Sequence, residues 1–280
     1  MKWPALRYAR ASSLSDVWST QDAIGDAFKV VAGGQSLLAT LAFRLSDPGA
    51  LLDISGIAAL KGITVQGNVL RIGALTTHAE LGRNAIVVQH APLLHQAVPL
   101  IAHAAIRNRG TLGGNLAYAD PASELPACLV ALRAVVIAVS RRGERRIEAE
   151  HFFRGLFETA LASDELISAV EVPVAVPGQV SIIQEVCRRA GDYAMAGLAA
   201  WSDGSESRLV YFAVGDGPVL AKRASAAMFA GGIAAAQAAL LGELSPNGDI
   251  HSSAEMKLHL AKTLTARVAP LILPAGSVAA

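Results

Sequence analysis

Two glycine-rich runs contain the residues whose types and spacing could do chemistry. The first run, AGGQSL at 32–37, lies where a predicted strand meets a predicted helix. Its glycines let backbone amides approach an anion without interference from a Cβ atom, and the helix N-terminus adds partial positive charge. The run therefore predicts a phosphate or pyrophosphate site. A tight turn without a ligand explains the glycines equally well, because the Walker A lysine and the GxGxxG spacing are both missing.

The second run, TLGGN at 111–115, combines glycine amides with the hydroxyl of Thr111 and the side-chain amide of Asn115. It belongs to a glycine-rich, polar stretch at 106–120 between apolar segments, which we interpret as a loop inside a binding site. Two such runs in one domain suit a ligand with several phosphate and hydroxyl oxygens. A dinucleotide fits that description better than a small metabolite.

The elements that position these runs follow from the hydrophobic pattern and the turn residues. A strand, a helix and a second strand are predicted at 29–32, 36–45 and 50–54, which make a βαβ unit with a right-handed connection. The other elements predicted before residue 173 are a hairpin around Gly67-Asn68, a helix capped by Thr77 and Glu80, helices at 92–105 and 120–132, and strands at 135–139 and 166–172.

The chain is predicted to divide in the segment 173–178, which contains two prolines and a glycine. Beyond it, three antiparallel strands are predicted at 180–188, 194–201 and 208–214. The C-terminal segment is predicted to be a helix capped by Ser252 and Glu255. Its apolar residues recur at every fourth position and predict a core-facing stripe of Met256, Leu260, Leu264 and Val268.

Composition argues against several functions. Hydrophobic residues make up 52% and charged residues 17% of the chain, so a packed core is favoured over disorder, and either partner proteins or a tight fold must bury the apolar excess. A net charge of +1 and an aromatic content of 5% argue against nucleic acid as a ligand. The one dense basic cluster is interpreted as a solvated turn and consists of Arg141, Arg142, Arg145 and Arg146.

The two cysteines, Cys128 and Cys187, have no metal-ligand spacing, and an iron–sulfur cluster needs about four thiolates. We therefore predict no metal site in this chain. The N-terminus lacks the apolar segment of a secretion signal, and the longest apolar run, 125–139, is interrupted by Arg133 and is too short for a bilayer. These features predict no membrane span and a cytoplasmic location.

Several runs, in chain order, are typical of one family. They are AGGQSLL at 32–38, LLDIS at 51–55, IGALTTHAEL at 72–81, IRNRGTLGGNLAYADPASELPA at 106–127, FFRGLFETAL at 152–161, ELISAVEVP at 165–173 and RRAGDYAMA at 188–196, with a last match at 249–257. On these residues the sequence resembles the FAD-binding medium subunit of the molybdenum hydroxylase family, which includes xanthine dehydrogenase and aerobic carbon monoxide dehydrogenase. The resemblance covers nearly the whole chain.

The resemblance implies an α+β fold. A vanillyl-alcohol-oxidase or PCMH-type FAD-binding domain would occupy 1–175, in two α+β subdomains at 1–55 and 56–175. A C-terminal domain of antiparallel sheet and helices, like that of the carbon monoxide dehydrogenase flavoprotein, would occupy 178–280.

The resemblance also implies which residues bind FAD, and no catalytic residue in this chain. The first run would hold the pyrophosphate, and the second would hold the other side of the cofactor. Glu124 would accept a hydrogen bond from a ribityl or ribose hydroxyl, and Tyr193 would approach one face of the isoalloxazine. The implied set is Ala32, Gly33, Gly34, Gln35, Ser36, Leu37, Thr77, Thr111, Gly113, Gly114, Asn115, Glu124, Leu166, Ile167 and Tyr193, with His78 beside Thr77 in a motif near the cofactor.

One departure from the family pattern bears on the flavin. Other branches carry a lysine, able to meet the flavin, in the segment where this chain has Gln184-Glu185. Tuning of the flavin is therefore expected to differ here.

The implied function is electron transfer. A large partner subunit would carry molybdopterin, and a small partner subunit would carry [2Fe–2S] clusters. Electrons from these clusters would pass through FAD on this chain to an external acceptor. Two alternatives stay open: a stand-alone flavoprotein oxidase, for which His78 and His103 are the plausible flavin-linking neighbours, and a scaffold subunit that has lost FAD.

Overall fold

The computed structural model describes residues 5–25 and 28–273, so the parts of the predicted domains at 1–4, 26–27 and 274–280 lie outside the described residues. The first layer is a parallel three-stranded sheet in the order β1-β3-β2. Its elements are β1 (Arg7–Arg10), α1 (Leu14–Ile24), β2 (Phe28–Val31), α2 (Leu37–Ala42) and β3 (Ala50–Asp53). The parallel pairing of β2 with β3 confirms the predicted βαβ unit.

The second layer is an antiparallel five-stranded sheet that carries a set of short helices. Its elements are β4 (Ile63–Gln66), β5 (Val69–Gly73), α3 (His78–Arg83), α4 (Ala85–His90), α5 (Pro92–Ala97), α6 (Ala104–Arg107), α7 (Leu112–Tyr118), α8 (Glu124–Ala131), β6 (Val135–Ser140), β7 (Gly143–Glu148), the small hairpin β8 (Phe153–Gly155) and β9 (Glu158–Thr159), and β10 (Leu166–Pro173). The sheet order is β4-β5-β10-β6-β7. The predicted hairpin and the Thr77–Glu80 capping box are both confirmed.

The C-terminal layer is an antiparallel sheet covered by two helices. Its elements are β11 (Val180–Cys187), β12 (Ala194–Ser202), β13 (Ser207–Phe212), β14 (Val219–Leu220), α9 (Lys222–Ala239) and α10 (Ala254–Ile272). The three predicted strands pair in the predicted antiparallel order. One sheet face packs on α9 and α10, and the other packs against the second layer.

Helix α8 joins the second layer to the C-terminal sheet. All eight of its residues are buried, and it packs against both β12 and β13. Ile183, Ala199 and Phe212 of the C-terminal sheet belong to the same hydrophobic cluster as Leu125 and Leu129 of α8. The N-terminus of α8 is therefore held in place by core packing from two sides.

Two helix predictions in the second layer were wrong in their bounds. The helix predicted at 92–105 ends at Ala97, and the chain turns at Ala102, whose φ of 38° leaves the helical region. The guanidinium of Arg107 holds this turn by donating to the carbonyls of Ile101 and Ala102. The helix predicted from Asp120 begins at Glu124, because the Asp120 carboxylate instead accepts a hydrogen bond from the Ala122 amide in a turn.

The second glycine-rich run was also interpreted wrongly as a loop. Residues 112–118 form helix α7, because the Thr111 hydroxyl caps its first turn.

In the C-terminal helix, the cap is Ser253 rather than Ser252. Met256 is 49% exposed, and the buried stripe instead includes Lys257, Ala261 and Thr265 beside Leu264 and Val268. A period of four residues drifts off one helical face, whose true period is 3.6.

The basic cluster lies on the exposed hairpin between β6 and β7, in agreement with the predicted solvated turn, and its arginines are ion-paired. Arg141, Arg142, Arg145 and Arg146 form ion pairs with Asp22, Asp164, Glu165 and Glu171, respectively. Their charge is therefore largely neutralised within the described chain.

One helical segment, Lys222–Gly242, is long and apolar enough to cross a membrane by length and composition alone. Its backbone breaks at Gly232, where φ is 71° and ψ is −162°. Ala224, Met228 and Ala236 pack in the C-terminal core. Each of the two pieces is shorter than the roughly 20 residues that a bilayer requires.

Candidate functional site

A cavity of about 630 Å³ opens between the first and second layers. The turn from β2 to α2 forms one wall, the first turn of α7 forms another, and the Leu166–Ile167 end of β10 and the loop before β12 complete it. Of the residues predicted to bind the cofactor, fourteen line this cavity: Ala32, Gly33, Gly34, Gln35, Ser36, Leu37, Thr111, Gly113, Gly114, Asn115, Glu124, Leu166, Ile167 and Tyr193.

Gly33 of the first run lies against the backbone at 109–110, immediately before the second run. A Cβ atom at Gly33 would overlap the carbonyl oxygen of Arg109 and lie 2.9 Å from the Cα of Gly110. At Gly113, a Cβ atom would lie 2.6 Å from the Cβ of Ala74. Only glycine therefore permits the backbone of each run to approach its neighbour this closely. The close approach brings the amides of both runs to one cavity.

The first turn of α7 depends on Thr111. Its hydroxyl accepts a hydrogen bond of 3.1 Å from the Gly114 amide, and its backbone forms a β-bridge with Thr77. The side-chain amide of Asn115 donates to the Ser123 hydroxyl at 2.9 Å. These bonds fix the direction in which the helix N-terminus faces the cavity.

Replacing Thr111 by valine is expected to lower the free energy of unfolding by about 1 kcal/mol, because the helix cap is lost. Thr111→Ser keeps the hydroxyl and should remain within about 0.5 kcal/mol of the wild type. Urea unfolding followed by circular dichroism measures both. A loss in Thr111→Ser without a loss in Thr111→Val would show that packing of the threonine methyl group, and not the cap, is what matters.

Thr77 is the one predicted residue outside the cavity lining. Its hydroxyl and its backbone amide both donate hydrogen bonds to the Glu80 carboxylate, at 2.9 and 2.8 Å. Direct contact between Thr77 and a cofactor stays a prediction. The neighbouring His78 does line the cavity; burial, followed by the charge of Arg107, lowers the pKa of its imidazole to about 4, so the ring is neutral at pH 7.

The opposite end of the cavity is acidic. Glu124 begins helix α8 and is 9% exposed. Burial, followed by the charges of Glu185 and Asp120, raises the pKa of Glu124 to about 8. Tyr193 interacts with Asp120, whose pKa is raised by burial, although the Tyr193 residue as a whole is 71% exposed. The tyrosine ring thus stands at the cavity mouth, where a flat ligand could stack on it.

The residues present fit a dinucleotide. Two buried polar atoms, Nδ1 of His78 and Oδ1 of Asn115, have no partner among the described residues, and both side chains belong to the cavity wall. Such atoms are costly to leave unpaired, so they indicate a polar ligand. The glycine cradle supplies amide donors for phosphate, and Leu166 with Ile167 supplies an apolar wall.

Sequence reasoning missed several lining residues. Gly110, Asp120 and Ser123 lie inside the family-typical run at 106–127, and Phe157 lies inside the run at 152–161, so these runs carry a signal for all four. Phe157 also stacks edge-on against Tyr118, with ring centroids 5.1 Å apart. Nothing in the local pattern of the small hairpin indicates this contact.

Comparison with known families and proteins agrees with this geometry. The model of the FAD-binding domain in molybdopterin dehydrogenase matches residues 4–175, and that of the C-terminal domain of the carbon monoxide dehydrogenase flavoprotein matches residues 181–270. The chain is 37% identical to the nicotine 6-hydroxylase medium subunit of Paenarthrobacter nicotinovorans, over 99% of each chain.

Solved structures show the same similarity. Carbon monoxide dehydrogenase from Hydrogenophaga pseudoflava, in a form lacking the Mo-pyranopterin moiety, superposes with a TM-score of 0.93 at 31% identity, over 97% of this chain and 98% of the other. Quinoline 2-oxidoreductase from Pseudomonas putida 86 superposes with a TM-score of 0.89 at 34% identity, over 96% and 97%.

Proposed function

The chain belongs to the family of FAD-binding medium subunits of the molybdenum hydroxylases, which are oxidoreductases, and from this premise we propose that it is an electron-transfer subunit that holds FAD in the 630 Å³ cavity. It would receive electrons from [2Fe–2S] clusters on a partner subunit and deliver them to an external acceptor. The observation that carries the proposal is the convergence of both glycine-rich runs on one cavity, through the contact of Gly33 with the Arg109 backbone.

Different residues would bind different parts of the cofactor. The amides of 32–36 and the Ser36 hydroxyl would hold the pyrophosphate, and Thr111, Gly114 and Asn115 would bind the neighbouring oxygens. Glu124 would bind a sugar or ribityl hydroxyl, and Tyr193 would shield one ring face from water. Bound FAD would supply the redox chemistry, while this chain supplies binding, orientation and exclusion of solvent.

The partners would be a molybdopterin-binding large subunit and a [2Fe–2S] small subunit. The chain itself has two cysteines, fewer than the four thiolates of a common cluster. Relatives include the alpha subunit of a dehydrogenase complex and the medium subunit of a hydroxylase, which supports assembly with other chains. We place the complex in the cytoplasm and the domain boundary of this chain at 175–178.

The proposed function predicts that the purified full chain, expressed alone, binds FAD without iron. Absorption spectroscopy should show flavin bands, and acid denaturation should release the flavin as free FAD. Elemental analysis should find no iron. Flavin that stays attached after denaturation would favour a stand-alone oxidase with a covalent link. A chain that takes up no FAD, alone or in its complex, would leave the scaffold alternative.

A further inference from the structure

An imidazole without a hydrogen-bond partner lies in the wall of the cavity. His78 is 4% exposed, and neither of its ring nitrogens is hydrogen-bonded to a described residue. Buried polar side chains are nearly always paired, and an unpaired one lowers stability. An apolar side chain could fill the same space without that cost. The unpaired ring therefore indicates a partner that the described residues do not supply.

Backbone hydrogen bonds attach His78 to the second glycine-rich run. The His78 amide donates to the Gly110 carbonyl at 2.9 Å, and the Leu112 amide donates to the Thr76 carbonyl at 2.9 Å. The segment that carries the ring is thus joined to the backbone that begins α7. The ring is attached to a fixed support beside the amides that would bind the cofactor, as a binding site requires.

The Cδ2–Nε2 edge of the His78 ring lies against Gly110. A Cβ atom at Gly110 would lie 2.8 Å from Cδ2 and 3.0 Å from Nε2, so glycine is what leaves room for the ring. Gly110 directly precedes Thr111, and all three residues line the cavity. Of the two ring nitrogens, Nδ1 is the fully buried one. Nε2 is therefore the atom through which His78 can meet a bound cofactor.

The ring is neutral and can donate one hydrogen bond. Burial, followed by the charge of Arg107, lowers the pKa of His78 to about 4. In a neutral imidazole one nitrogen carries a proton and the other is an acceptor. Orphaned buried N–H groups are rarer than under-satisfied acceptors, so the fully buried Nδ1 is assigned as the acceptor. The proton then lies on Nε2.

We propose that His78 is a cofactor-binding residue, whose Nε2–H donates a hydrogen bond to an oxygen of FAD beside the second glycine-rich run. This role rests on the proposed function, because FAD is the ligand proposed for the cavity. FAD offers acceptor oxygens in its phosphates and in the carbonyl groups of its flavin ring. The bond is non-covalent, unlike the histidine–flavin link that a stand-alone oxidase could use.

Replacing His78 by leucine separates this role from a structural one. Without FAD, the urea midpoint of unfolding should stay unchanged or rise, because an apolar side chain replaces an unpaired polar ring. The dissociation constant for FAD should nevertheless rise about tenfold, because an oxygen of the cofactor loses its donor. A histidine that only packed the core would show the opposite pattern, with lower stability and unchanged affinity.

Two further variants serve as controls. In His78→Gln the side-chain amide can place a donor near the position of Nε2, so the dissociation constant should stay within about threefold of the wild type. His151→Leu is the matched control, because the His151 side chain is 64% exposed and lies outside the cavity lining. It should bind FAD as the wild type does. Titration of the FAD-free full chain, followed by quenching of flavin fluorescence, measures each dissociation constant.

Nitrogen-15 NMR of the full chain, labelled at its seven histidines, observes the bond directly. The signals of His78 are those missing from the spectrum of His78→Gln. They should report a proton on Nε2, and addition of FAD should shift them. This measurement uses the wild-type fold, so it still tests the role if His78→Leu does not fold.

Three outcomes would overturn this role while FAD binding by the chain stands. They are wild-type affinity in His78→Leu, equal losses of affinity in His78→Leu and His78→Gln, and His78 signals that FAD does not move. FAD that stays attached to His78 after acid denaturation would replace the hydrogen bond with a covalent link. A wild-type chain with no affinity for FAD would reject the proposed function together with this role.

Discussion

Replacing Gly33 by alanine is expected to lower the affinity for FAD about 100-fold, which corresponds to about 2.7 kcal/mol. The added Cβ atom would overlap the Arg109 carbonyl oxygen, and the atoms in its way are backbone, which cannot swing aside as a flexible side chain can. The β2–α2 turn must then move away from the segment that precedes α7. The backbone amides of the two runs could then no longer bind the same cofactor.

The measurement is the FAD dissociation constant of the FAD-free chain, with thermal unfolding recorded in parallel. Gly217→Ala is the matched control, because a Cβ atom there makes only ordinary contact, 3.6 Å from the Cβ of Phe153. The control should bind FAD as the wild type does. Wild-type affinity in Gly33→Ala would show that the contact between the two runs is not what builds the cofactor site.

Replacing Gly197 by alanine is expected to lower the free energy of unfolding by about 3 kcal/mol, near the upper end for overpacking a core. Gly197 lies in the middle of β12, opposite Glu185 on one side and Phe212 on the other. A Cβ atom there would overlap three ring atoms of Phe212, which is completely buried. The ring has no free volume to enter, so the sheet or the neighbouring α8 must shift.

Chemical denaturation measures this loss, and a second substitution tests its cause. Phe212→Leu removes the ring atoms that the new Cβ would meet. In that background, Gly197→Ala should cost less than about 1 kcal/mol. A cost that is the same with and without the ring would assign the effect to the backbone of β12 rather than to the ring.

Local chemistry made much of the fold predictable. The hairpin at Gly67-Asn68 and the capping box of Thr77 and Glu80 are formed between residues a few positions apart, so their sequence contains all the partners they need. The strands of the C-terminal sheet were predictable for a similar reason, because their apolar residues and turns follow the strand period.

The two helices with wrong predicted bounds contain segments that can form either a helix or a turn. Asp120 can cap a helix or close a turn, and the turn prevails, which moves the start of α8 to Glu124. The segment after Ala97 has a helical pattern, but Arg107 binds the carbonyls of a turn at 101–102 instead. Such a choice depends on where a side chain further along the chain comes to lie.

The sequence by itself determined the family, the α+β class, the two glycine-rich runs and fourteen of the residues that line the cavity, because glycine amides, hydroxyls and acids reveal their chemistry by type and spacing. Tertiary structure alone decided that Gly33 lies on the Arg109 backbone and that Thr77 caps a helix outside the cavity lining. These features arise from packing between distant segments, where burial and the low dielectric of the interior change what each residue can do.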